Sequence, residues 1–204
     1  NPLAAMRGSI EMLRDEKIPP KHKEKLMGIA LREMERLNGI VTDFLTYSSS
    51  RPLEKKKTDL HLLLDETLYL LNNAEQNKGN ISINKGFEGP LIAEVDPQKI
   101  RQVFWNLGIN AVESMKEGGE LTVSTSNQEG LIKISFSDTG PGIQPSRIEK
   151  IFYPFFTTKD EGTGLGLSIA YRIMEEHNGR LSVKSMPGIK TTFEIILPRQ
   201  NGKH

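Results

Sequence analysis

The spacing of apolar residues changes once along the 204-residue chain, and this change limits the fold more than any other feature of the sequence. Over residues 1–50, apolar side chains recur every three or four positions, which is the spacing of one face of an α-helix. The first such stripe comprises Leu3, Met6, Ile10 and Leu13. After a break at Ile18, Pro19 and Pro20, the second comprises Leu26, Ala30, Met34, Leu37, Val41 and Phe44. The pattern predicts a helical hairpin.

A hairpin of two amphipathic helices buries little apolar surface by itself. Such hairpins often complete their core by dimerising into a four-helix bundle, which we expect here; packing against the rest of the same chain is the alternative. The segment 51–58 follows a run of serines and carries the charged stretch 54–57, which indicates a solvated linker.

Residues 59–200 alternate between two periods. Helical patterns near 60–74, 97–115 and 165–177 are interleaved with period-two segments at 81–87, 121–126, 131–138, 180–185 and 191–197. Several neighbouring strands are joined by loops too short for a crossover helix, which favours a mixed or antiparallel sheet covered by helices on one face. The predicted fold class is therefore α+β, with a helical hairpin over 1–50, a linker over 51–58 and an α/β sandwich with a mixed sheet over 59–200.

The composition narrows the class of function only by exclusion. Charged residues make up 26% of the chain and the formal net charge is +1, which gives no indication of a nucleic-acid partner. The absence of cysteine excludes disulfides, thiolate metal sites and a cysteine nucleophile within these residues. The same absence suits a reducing cytoplasm, where we expect the chain to act. No apolar run is long enough to span a bilayer, and no signal peptide opens the chain.

The stretch GTGLGL carries three glycines, Gly162, Gly164 and Gly166, directly before a predicted helix. It matches neither the dinucleotide-binding pattern nor the P-loop pattern. Its glycines nevertheless allow backbone N–H groups to turn towards an anion at the start of the helix, where the helix dipole also attracts negative charge. A flexible turn before an amphipathic helix is the alternative.

The helix predicted at 97–115 opens with Asp96 as N-cap and Pro97 in its first turn. Asn106, Asn110 and Glu113 recur at i, i+4 and i+7, so they share one face of the helix. Asparagine is a poor helix former, and an amide oxygen is a ligand suited to Mg²⁺, which is commonly shared with nucleotide phosphates. Two solvated amides are the alternative.

Asp138 falls in phase with the inward-facing apolar residues of the strand 131–138, so its carboxylate should point into the core at the strand end. An ionised carboxylate only accepts hydrogen bonds, so a ligand with an N–H donor, such as the exocyclic amine of adenine, is a natural partner. Gly140 and Gly142 would let the backbone close around a ring. Thr191 would aim its hydroxyl into the same interior. A self-capped Asp-Thr-Gly turn and an ordinary strand threonine are the alternatives.

Four motifs in this order resemble the catalytic core of sensor histidine kinases, members of the GHKL ATP-binding superfamily. They are NLGINAVES for the N box, DTGPGI for the first glycine box, FYPFF for the F box and GTGLGL for the second glycine box. The opening NPLAAMRGS is similar to the segment just after the phospho-acceptor histidine, in the style of nitrogen-regulation kinases. The resemblance covers nearly the whole chain.

This resemblance implies a role for individual residues. Asp138 would bind the adenine amine, Asn110 would ligate Mg²⁺, and Asn106 would support the phosphates. Lys159 would neutralise phosphate charge, although a solvated lysine is the alternative. The full set of implied nucleotide-binding residues is Asn106, Asn110, Asp138, Gly140, Gly142, Lys159, Gly162, Thr163, Gly164, Leu165, Gly166 and Thr191. Phe155 and Phe156 would anchor the lid over ATP.

Two departures from the family pattern stand out. Lys190 occupies a position where the family often has glycine, which weakens the last contact beside adenine. The pattern also places the acceptor histidine, with the adjacent acid as general base, four residues before Asn1 and outside this chain, so we expect no catalytic residue within it. The four histidines present are interpreted as a loop residue (His22), an exposed helix residue (His61), a helix-end residue (His177) and a tail residue (His204).

The implied activity is transfer of the γ-phosphoryl group of Mg·ATP to that histidine and then to an aspartate of a response regulator receiver domain. The implied assembly is a homodimer through the hairpin, with no nucleic acid and with membrane attachment only through segments absent here. The chain would be cytoplasmic, or the cytoplasmic part of a membrane-bound sensor. Alternatives are a GHKL-type ATPase, which would carry glutamate where Asn106 stands, and a degenerate kinase that acts as a scaffold. A combined kinase and phosphatase is also open.

Overall fold

The computed structural model describes residues 2–14, 18–48, 51–74, 81–128, 130–159 and 162–198. Helix α1 (Pro2–Leu13) and helix α2 (Pro20–Ser48) pack against each other as the predicted hairpin. Predictions at Asn1, at the serines 49–50, at the acidic pair 160–161 and at 199–204, which includes His204, lie outside the described residues. His22, expected in a loop, lies in α2 because this helix begins at Pro20, where a missing N–H is harmless.

The predicted apolar stripes of the hairpin are divided between two surfaces. In α1, Met6 and Leu13 are half-buried, whereas Leu3 and Ile10 are 63% and 52% exposed. Helix α2 also carries large apolar residues with about half or more of their surface exposed, namely Met27, Leu31, Met34, Val41, Phe44 and Leu45. The hairpin therefore keeps an apolar face that the described chain leaves uncovered.

A small two-stranded sheet connects the hairpin to the rest of the chain. Strand β1 (Lys56–Asp59) pairs antiparallel with β3 (Ile92–Val95), with Lys56 opposite Val95. Residues 56–58, predicted to end a solvated linker, thus form a largely exposed strand, and β3 was not predicted. Both strands are four residues long, and the charged residues of β1 show no apolar alternation, so the sequence carried no strand signal there.

The main sheet has five strands in the order β2-β4-β5-β7-β6. These are β2 (Ile81–Gly86), β4 (Gly119–Gln128), β5 (Leu131–Asp138), β6 (Arg180–Met186) and β7 (Lys190–Pro198). The β2–β4 pair is parallel and the other three pairs are antiparallel, so the sheet is mixed. The predicted class, a helical hairpin followed by an α/β sandwich with a mixed sheet, is confirmed.

Three helices cover one face of this sheet: α3 (Leu60–Asn73), α4 (Pro97–Ser114) and α5 (Gly166–Glu176). Along β5, buried residues alternate with exposed or half-buried ones, which shows that only one face is packed. Helices α3 and α4 approach closely at Gly108, where an added Cβ would lie 2.2 Å from Leu71 Cδ1. The predicted helix and strand positions agree with the structure to within two residues at each end, and two 3₁₀ turns, Pro145–Arg147 and Lys150–Phe152, precede α5. Within the described ranges, no helix has the length and apolar character needed to cross a bilayer.

Candidate functional site

A cavity of about 700 Å³ lies between α4, the loop after β5 and the segment that leads into α5. Most residues predicted to bind nucleotide line it, namely Asn106, Asn110, Asp138, Gly142, Lys159, Gly162, Thr163, Gly164, Gly166 and Thr191. The other two support its wall. Leu165 is fully buried, and the Gly140 N–H donates to Asp138 Oδ1 at 3.0 Å. Residues from distant parts of the sequence thus converge on one space.

Asp138 lies at the end of β5, directly opposite Thr191 of β7. Both side chains are buried, with 3% and 4% of their surface exposed. Burial raises the pKa of Asp138, while hydrogen bonds from Gly140 N–H and Ser114 Oγ and the charge of Lys159 act in the opposite direction. The Ser114 hydroxyl lies 3.4 Å from Asp138 Oδ1. Only Oδ1 receives these two hydrogen bonds, so the carboxylate retains accepting capacity towards the cavity.

The loop between Asp138 and Ile143 is held against the turn that joins β6 to β7. Gly142 has φ 72°, and an added Cβ would lie 2.5 Å from the Met186 carbonyl oxygen. The Gly188 N–H donates to the Pro141 carbonyl at 2.8 Å. Glycine at 142 is therefore required both by the backbone conformation and by the close approach of a second chain segment.

Helix α4 is capped at its N-terminus and presents a polar face to the cavity. Asp96 Oδ1 accepts from Gln98 N–H at 3.0 Å and from Lys99 N–H at 3.2 Å. Further along, Asn106 Nδ2 donates to the Gly166 carbonyl at 2.9 Å and so connects α4 to the start of α5. Asn110 follows one turn later and also lines the cavity.

Lys159 places its ammonium group between two oxygens of α4. Its Nζ lies 2.8 Å from Asn110 Oδ1 and 2.7 Å from Glu113 Oε2. A neutral amide oxygen and a carboxylate oxygen therefore converge on one cation, which is the type of donor set that a divalent cation such as Mg²⁺ takes in proteins. Lys159 is a cavity residue, and its side chain is engaged by α4.

Among the glycines before α5, only Gly164 requires a left-handed backbone. Its φ is 69°, and an added Cβ would lie 2.5 Å from the Phe155 carbonyl carbon. Phe155 itself has φ 66° and is 59% exposed, whereas Phe156 packs against the core. Of the two predicted aromatic anchors, only Phe156 thus packs against the core. Leu165 occupies the N-cap of α5, and its apolar side chain cannot satisfy the first N–H groups of that helix.

Two histidines have buried or half-buried surroundings that the sequence did not indicate. His61, expected to be exposed, is half-buried: its Nε2 lies 2.9 Å from Thr125 Oγ1 and its ring stacks on Phe87 at 4.6 Å between centroids. His177 ends α5 as predicted, but it is only 4% exposed and its Nε2 accepts from the Asp96 N–H at 3.0 Å. Its contact partner is far away in sequence, so no local pattern could have revealed it.

Ser185 is the main residue that sequence reasoning missed. Its hydroxyl accepts from the Ile143 N–H at 2.8 Å and lies 3.0 Å from Thr191 Oγ1. It lies directly opposite Thr191 in the β6–β7 pair, a register that only the folded chain reveals.

Two family models match the chain. Residues 95–201 match the model described as Histidine kinase-, DNA gyrase B-, and HSP90-like ATPase, and residues 1–52 match the model of the His Kinase A (phospho-acceptor) domain. The chain belongs to the sensor histidine kinases. The family membership inferred from the four motifs is therefore confirmed.

Relatives of this histidine kinase chain include kinases of Escherichia coli and Bacillus subtilis. It is 36% identical over 204 residues to the signal transduction histidine-protein kinase AtoS of Escherichia coli (strain K12), an alignment that covers 97% of this chain and 33% of AtoS. It is 32% identical over 209 residues to sporulation kinase E of Bacillus subtilis (strain 168), with 100% of this chain and 28% of that kinase covered. The chain thus spans about a third of the length of these relatives.

Solved structures of histidine kinases share this fold. Histidine kinase ThkA, in a crystal structure with response regulator protein TrrA, superposes with a TM-score of 0.84 at 31% identity, covering 100% of this chain and 59% of ThkA. Full-length ShkA in complex with AMPPNP superposes with a TM-score of 0.76 at 25% identity, covering 97% of this chain and 43% of ShkA.

Proposed function

We propose that this chain is the catalytic core of a sensor histidine kinase, which binds ATP and transfers its γ-phosphoryl group to a histidine of the dimerisation helix and then to an aspartate of a response regulator. The observation that carries the proposal is the convergence of Asp138, Asn106, Asn110 and Gly164 on one cavity. The proposed acceptor histidine precedes Asn1, so this chain supplies the donor half of the reaction. In this proposal the protein acts in the cytoplasm, where ATP is available.

The closed end of the cavity would hold adenine. Asp138 offers a buried carboxylate oxygen to the exocyclic amine, and Thr191 lies opposite it on the neighbouring strand. A carboxylate without its hydration shell gains most from a ligand that donates a hydrogen bond, so adenine binding would offset the cost of burying Asp138. Gly142 brings the backbone loop to the wall where the ring would lie.

The other end would hold the triphosphate. Gly162, Thr163, Gly164 and Gly166 line the cavity at the start of α5, where uncapped N–H groups and the helix dipole favour an anion. Asn110 and Glu113 would hold Mg²⁺, which would neutralise phosphate charge when bound. In this structure Lys159 contacts the same two oxygens, so its ammonium group would leave them when Mg²⁺ binds and would then supply a further positive charge to the phosphates. Positioning and charge neutralisation are the main contributions that phosphoryl transfer requires.

The comparisons support each half of this proposal. The phospho-acceptor model over residues 1–52 supports a hairpin that presents a histidine. The ShkA structure with AMPPNP supports an adenine nucleotide as the ligand, and the ThkA structure with TrrA supports a response regulator as the partner. The exposed apolar face of the hairpin supports dimerisation.

The proposed division of the chain is a dimerisation hairpin over 1–50, a connection that begins at 51, and an ATP-binding unit that ends near 200. Strand β1 pairs with β3 of the ATP-binding unit, which supports moving the start of that unit from 59 to 56 and shortening the connection to 51–55.

Calorimetric titration with ATP in the presence of Mg²⁺ tests the nucleotide proposal. We expect the wild-type chain to bind ATP. The variant Asp138→Asn should lose at least about tenfold in affinity, because the amide nitrogen of asparagine cannot accept a hydrogen bond from the exocyclic amine of adenine. Asp65→Asn is the matched control, since Asp65 is a half-exposed carboxylate of α3 paired with Lys85. Equal affinities of the wild type and Asp138→Asn would contradict the proposed adenine site.

Phosphoryl transfer is tested on a longer protein that includes the segment before Asn1, where we propose the acceptor histidine. Incubation with ATP labelled at the γ-phosphate should give an acid-labile phosphoprotein, which is lost on addition of the receiver domain as the label moves to it. The chain with the present 204 residues should bind ATP without becoming labelled. Rapid ATP hydrolysis by this chain with no labelled intermediate in the longer protein would favour an ATPase instead.

A further inference from the structure

We propose that Ser185 is a positioning residue that sets the preference of the cavity for adenine over guanine, an inference that rests on the proposed binding of ATP. Ser185 does not line the cavity, and neither the motifs nor the family models assign it a role. Its hydroxyl instead contacts Thr191, one of the two residues that would meet the base.

Three side chains form a row across three adjacent strands. Asp138 of β5 is the direct partner of Thr191 of β7, and Thr191 is in turn the direct partner of Ser185 of β6. Direct partners in antiparallel strands project to the same face of a sheet, so all three lie on the packed face at the rim of the cavity. Asp138 and Thr191 are buried and line the cavity, and Ser185 is half-buried next to them.

The Ser185 hydroxyl joins the loop after β5 to the start of β7. It accepts from the Ile143 N–H at 2.8 Å, and its own proton can reach Lys190 O at 3.1 Å or Thr191 Oγ1 at 3.0 Å. One hydroxyl thus holds both the loop that closes around the base and the residue opposite Asp138. Removing it would release the loop and leave the Ile143 N–H without this acceptor.

The direction of the hydroxyl protons decides what Thr191 offers to a ligand. In this structure the Ser185 hydroxyl donates to Lys190 O at 3.1 Å, and either hydroxyl of the Ser185–Thr191 pair can donate to the other at 3.0 Å. When a base binds, Thr191 gains an acceptor in the cavity, and we assign the Ser185 proton in that complex to Thr191 Oγ1. Thr191 then directs its single proton into the cavity as a donor.

This arrangement places an acceptor, Asp138, beside a donor, Thr191. The Watson–Crick edge of adenine carries an amine donor next to a ring-nitrogen acceptor. This order is complementary to Asp138 and Thr191, either by direct hydrogen bonds or through one water. Guanine presents an oxygen acceptor next to an N–H donor, the reverse order, so its oxygen would meet the carboxylate. A site that hydrogen-bonds one base edge discriminates strongly against the reversed edge, because buried polar groups are then left unpaired.

The test is competition of ATP and of GTP against a fluorescent ATP analogue, with Mg²⁺ present, on the full 204-residue chain. For Ser185→Ala we expect ATP affinity to fall about five- to tenfold while GTP affinity changes little, so that the ATP-to-GTP affinity ratio falls by the same factor. Ser185→Thr retains the hydroxyl and should restore the wild-type ratio. Thr191→Val should lower the ratio as Ser185→Ala does, and the double variant should add little to either single change because the two hydroxyls act as one unit.

Ser137→Ala is the matched control. Ser137 Oγ and Thr192 Oγ1 form a pair at 2.9 Å on the same strands β5 and β7, one residue away and therefore on the opposite face. The ATP-to-GTP affinity ratio of Ser137→Ala should equal that of the wild type.

The outcomes separate this inference from the proposed function. If the wild type binds ATP and Ser185→Ala keeps the wild-type ratio, or loses ATP and GTP in equal proportion, the role of Ser185 is refuted and the nucleotide site stands. If the wild type binds no ATP, the proposed function fails and this inference fails with it. Thermal unfolding of each variant shows whether equal losses of ATP and GTP affinity reflect a damaged fold. If Ser185→Ala is damaged in this way, the ATP-to-GTP ratio of Ser185→Thr decides: a wild-type ratio supports the role of the hydroxyl, and a lowered ratio refutes it.

Discussion

At the scale of single residues, the site depends on a carboxylate that the fold holds in an unfavourable place. Asp138 is 3% exposed, and burial raises its pKa above the usual range for aspartate. The folded state therefore binds a proton more tightly than the unfolded state, so stability is lost as pH rises from the ordinary aspartate pKa through the raised one. At neutral pH the protein without ligand is less stable by the cost of burying the ionised carboxylate, and a ligand that donates a hydrogen bond to Asp138 offsets this cost.

Replacement of Asp138 by asparagine should therefore raise the thermal unfolding temperature of the nucleotide-free protein at neutral pH while it weakens ATP binding. The amide keeps an oxygen for the Gly140 N–H and removes the buried charge. Differential scanning calorimetry at pH values near 7 and near 4 provides the measurement, and the gain should be larger near pH 7. A lower unfolding temperature at both pH values would contradict this account.

Gly164 and Gly166 provide a matched pair within one motif. Gly164→Ala should destabilise the fold by about 1–3 kcal/mol, because its φ of 69° is left-handed and the added methyl would lie 2.5 Å from the Phe155 carbonyl carbon. Gly166→Ala should change stability little, since the nearest atom to its added Cβ, Asn106 Cγ, is 3.6 Å away and the residue begins a helix. Urea unfolding measures both. Similar losses for the two variants would show that the left-handed conformation is not the decisive factor.

At the scale of elements, α4 and α5 share a junction at their ends. Asp96 caps α4 with Oδ1, accepts from the Glu54 N–H with Oδ2 at 3.1 Å, and donates its own N–H to His177 at the end of α5. His177 Nδ1 lies 2.8 Å from the Ile173 carbonyl and must carry the proton, which leaves Nε2 as the acceptor. The junction therefore requires a neutral imidazole.

Acidification should weaken this junction. Burial lowers the pKa of His177, a shift that Lys55 reinforces and that the Ile173 carbonyl, Asp96 and Glu176 oppose. Because the unfolded state then binds the proton more tightly, stability is retained above the ordinary histidine pKa and lost as pH falls below it. The unfolding temperature should drop between about pH 7 and about pH 5, and this drop should be smaller in His177→Gln.

The control for this prediction is His22→Gln, which changes an exposed histidine of α2 and should keep the wild-type pH dependence. A drop of equal size in the wild type and in His177→Gln would assign the acid sensitivity to other groups.

The sequence predicted the elements with strong periodicity and missed those without it. Helices α3, α4 and α5 and the five strands of the main sheet were located because their apolar residues repeat at a helical or a strand period. Strands β1 and β3 are four residues long, and the charged β1 is held by its partner rather than by its own pattern.

The same distinction applies to the site. Asp138, Asn106, Asn110 and Gly164 lie in recognisable motifs, and the structure places them around one cavity. The contacts of Lys159 with Glu113 and of Ser185 with Ile143 join segments more than forty residues apart, so only the folded chain could reveal them.

At the scale of the whole molecule, the hairpin leaves apolar surface that its own chain does not cover. Leu31 on α2 is 57% exposed and belongs to a series of exposed apolar residues along that helix. A second copy of the hairpin would bury this series in a four-helix bundle, which is the assembly that we propose.

Leu31→Arg should therefore shift the protein from dimer to monomer in sedimentation equilibrium, while ATP affinity per chain stays at the wild-type value because the cavity lies in the other unit. Leu62→Arg is the matched control, since Leu62 is similarly exposed, at 59%, but belongs to α3 and not to the hairpin. Dissociation by Leu62→Arg and not by Leu31→Arg would move the interface to α3.

The junction at Asp96 has a mechanical consequence. Asp96 contacts three elements: its carboxylate accepts from the Glu54 N–H after the hairpin and from the first turn of α4, and its backbone N–H donates to His177 at the end of α5. A displacement of the chain at Glu54 therefore acts on both helices that border the cavity. A twist of the hairpin would be transmitted to α4 and α5 together.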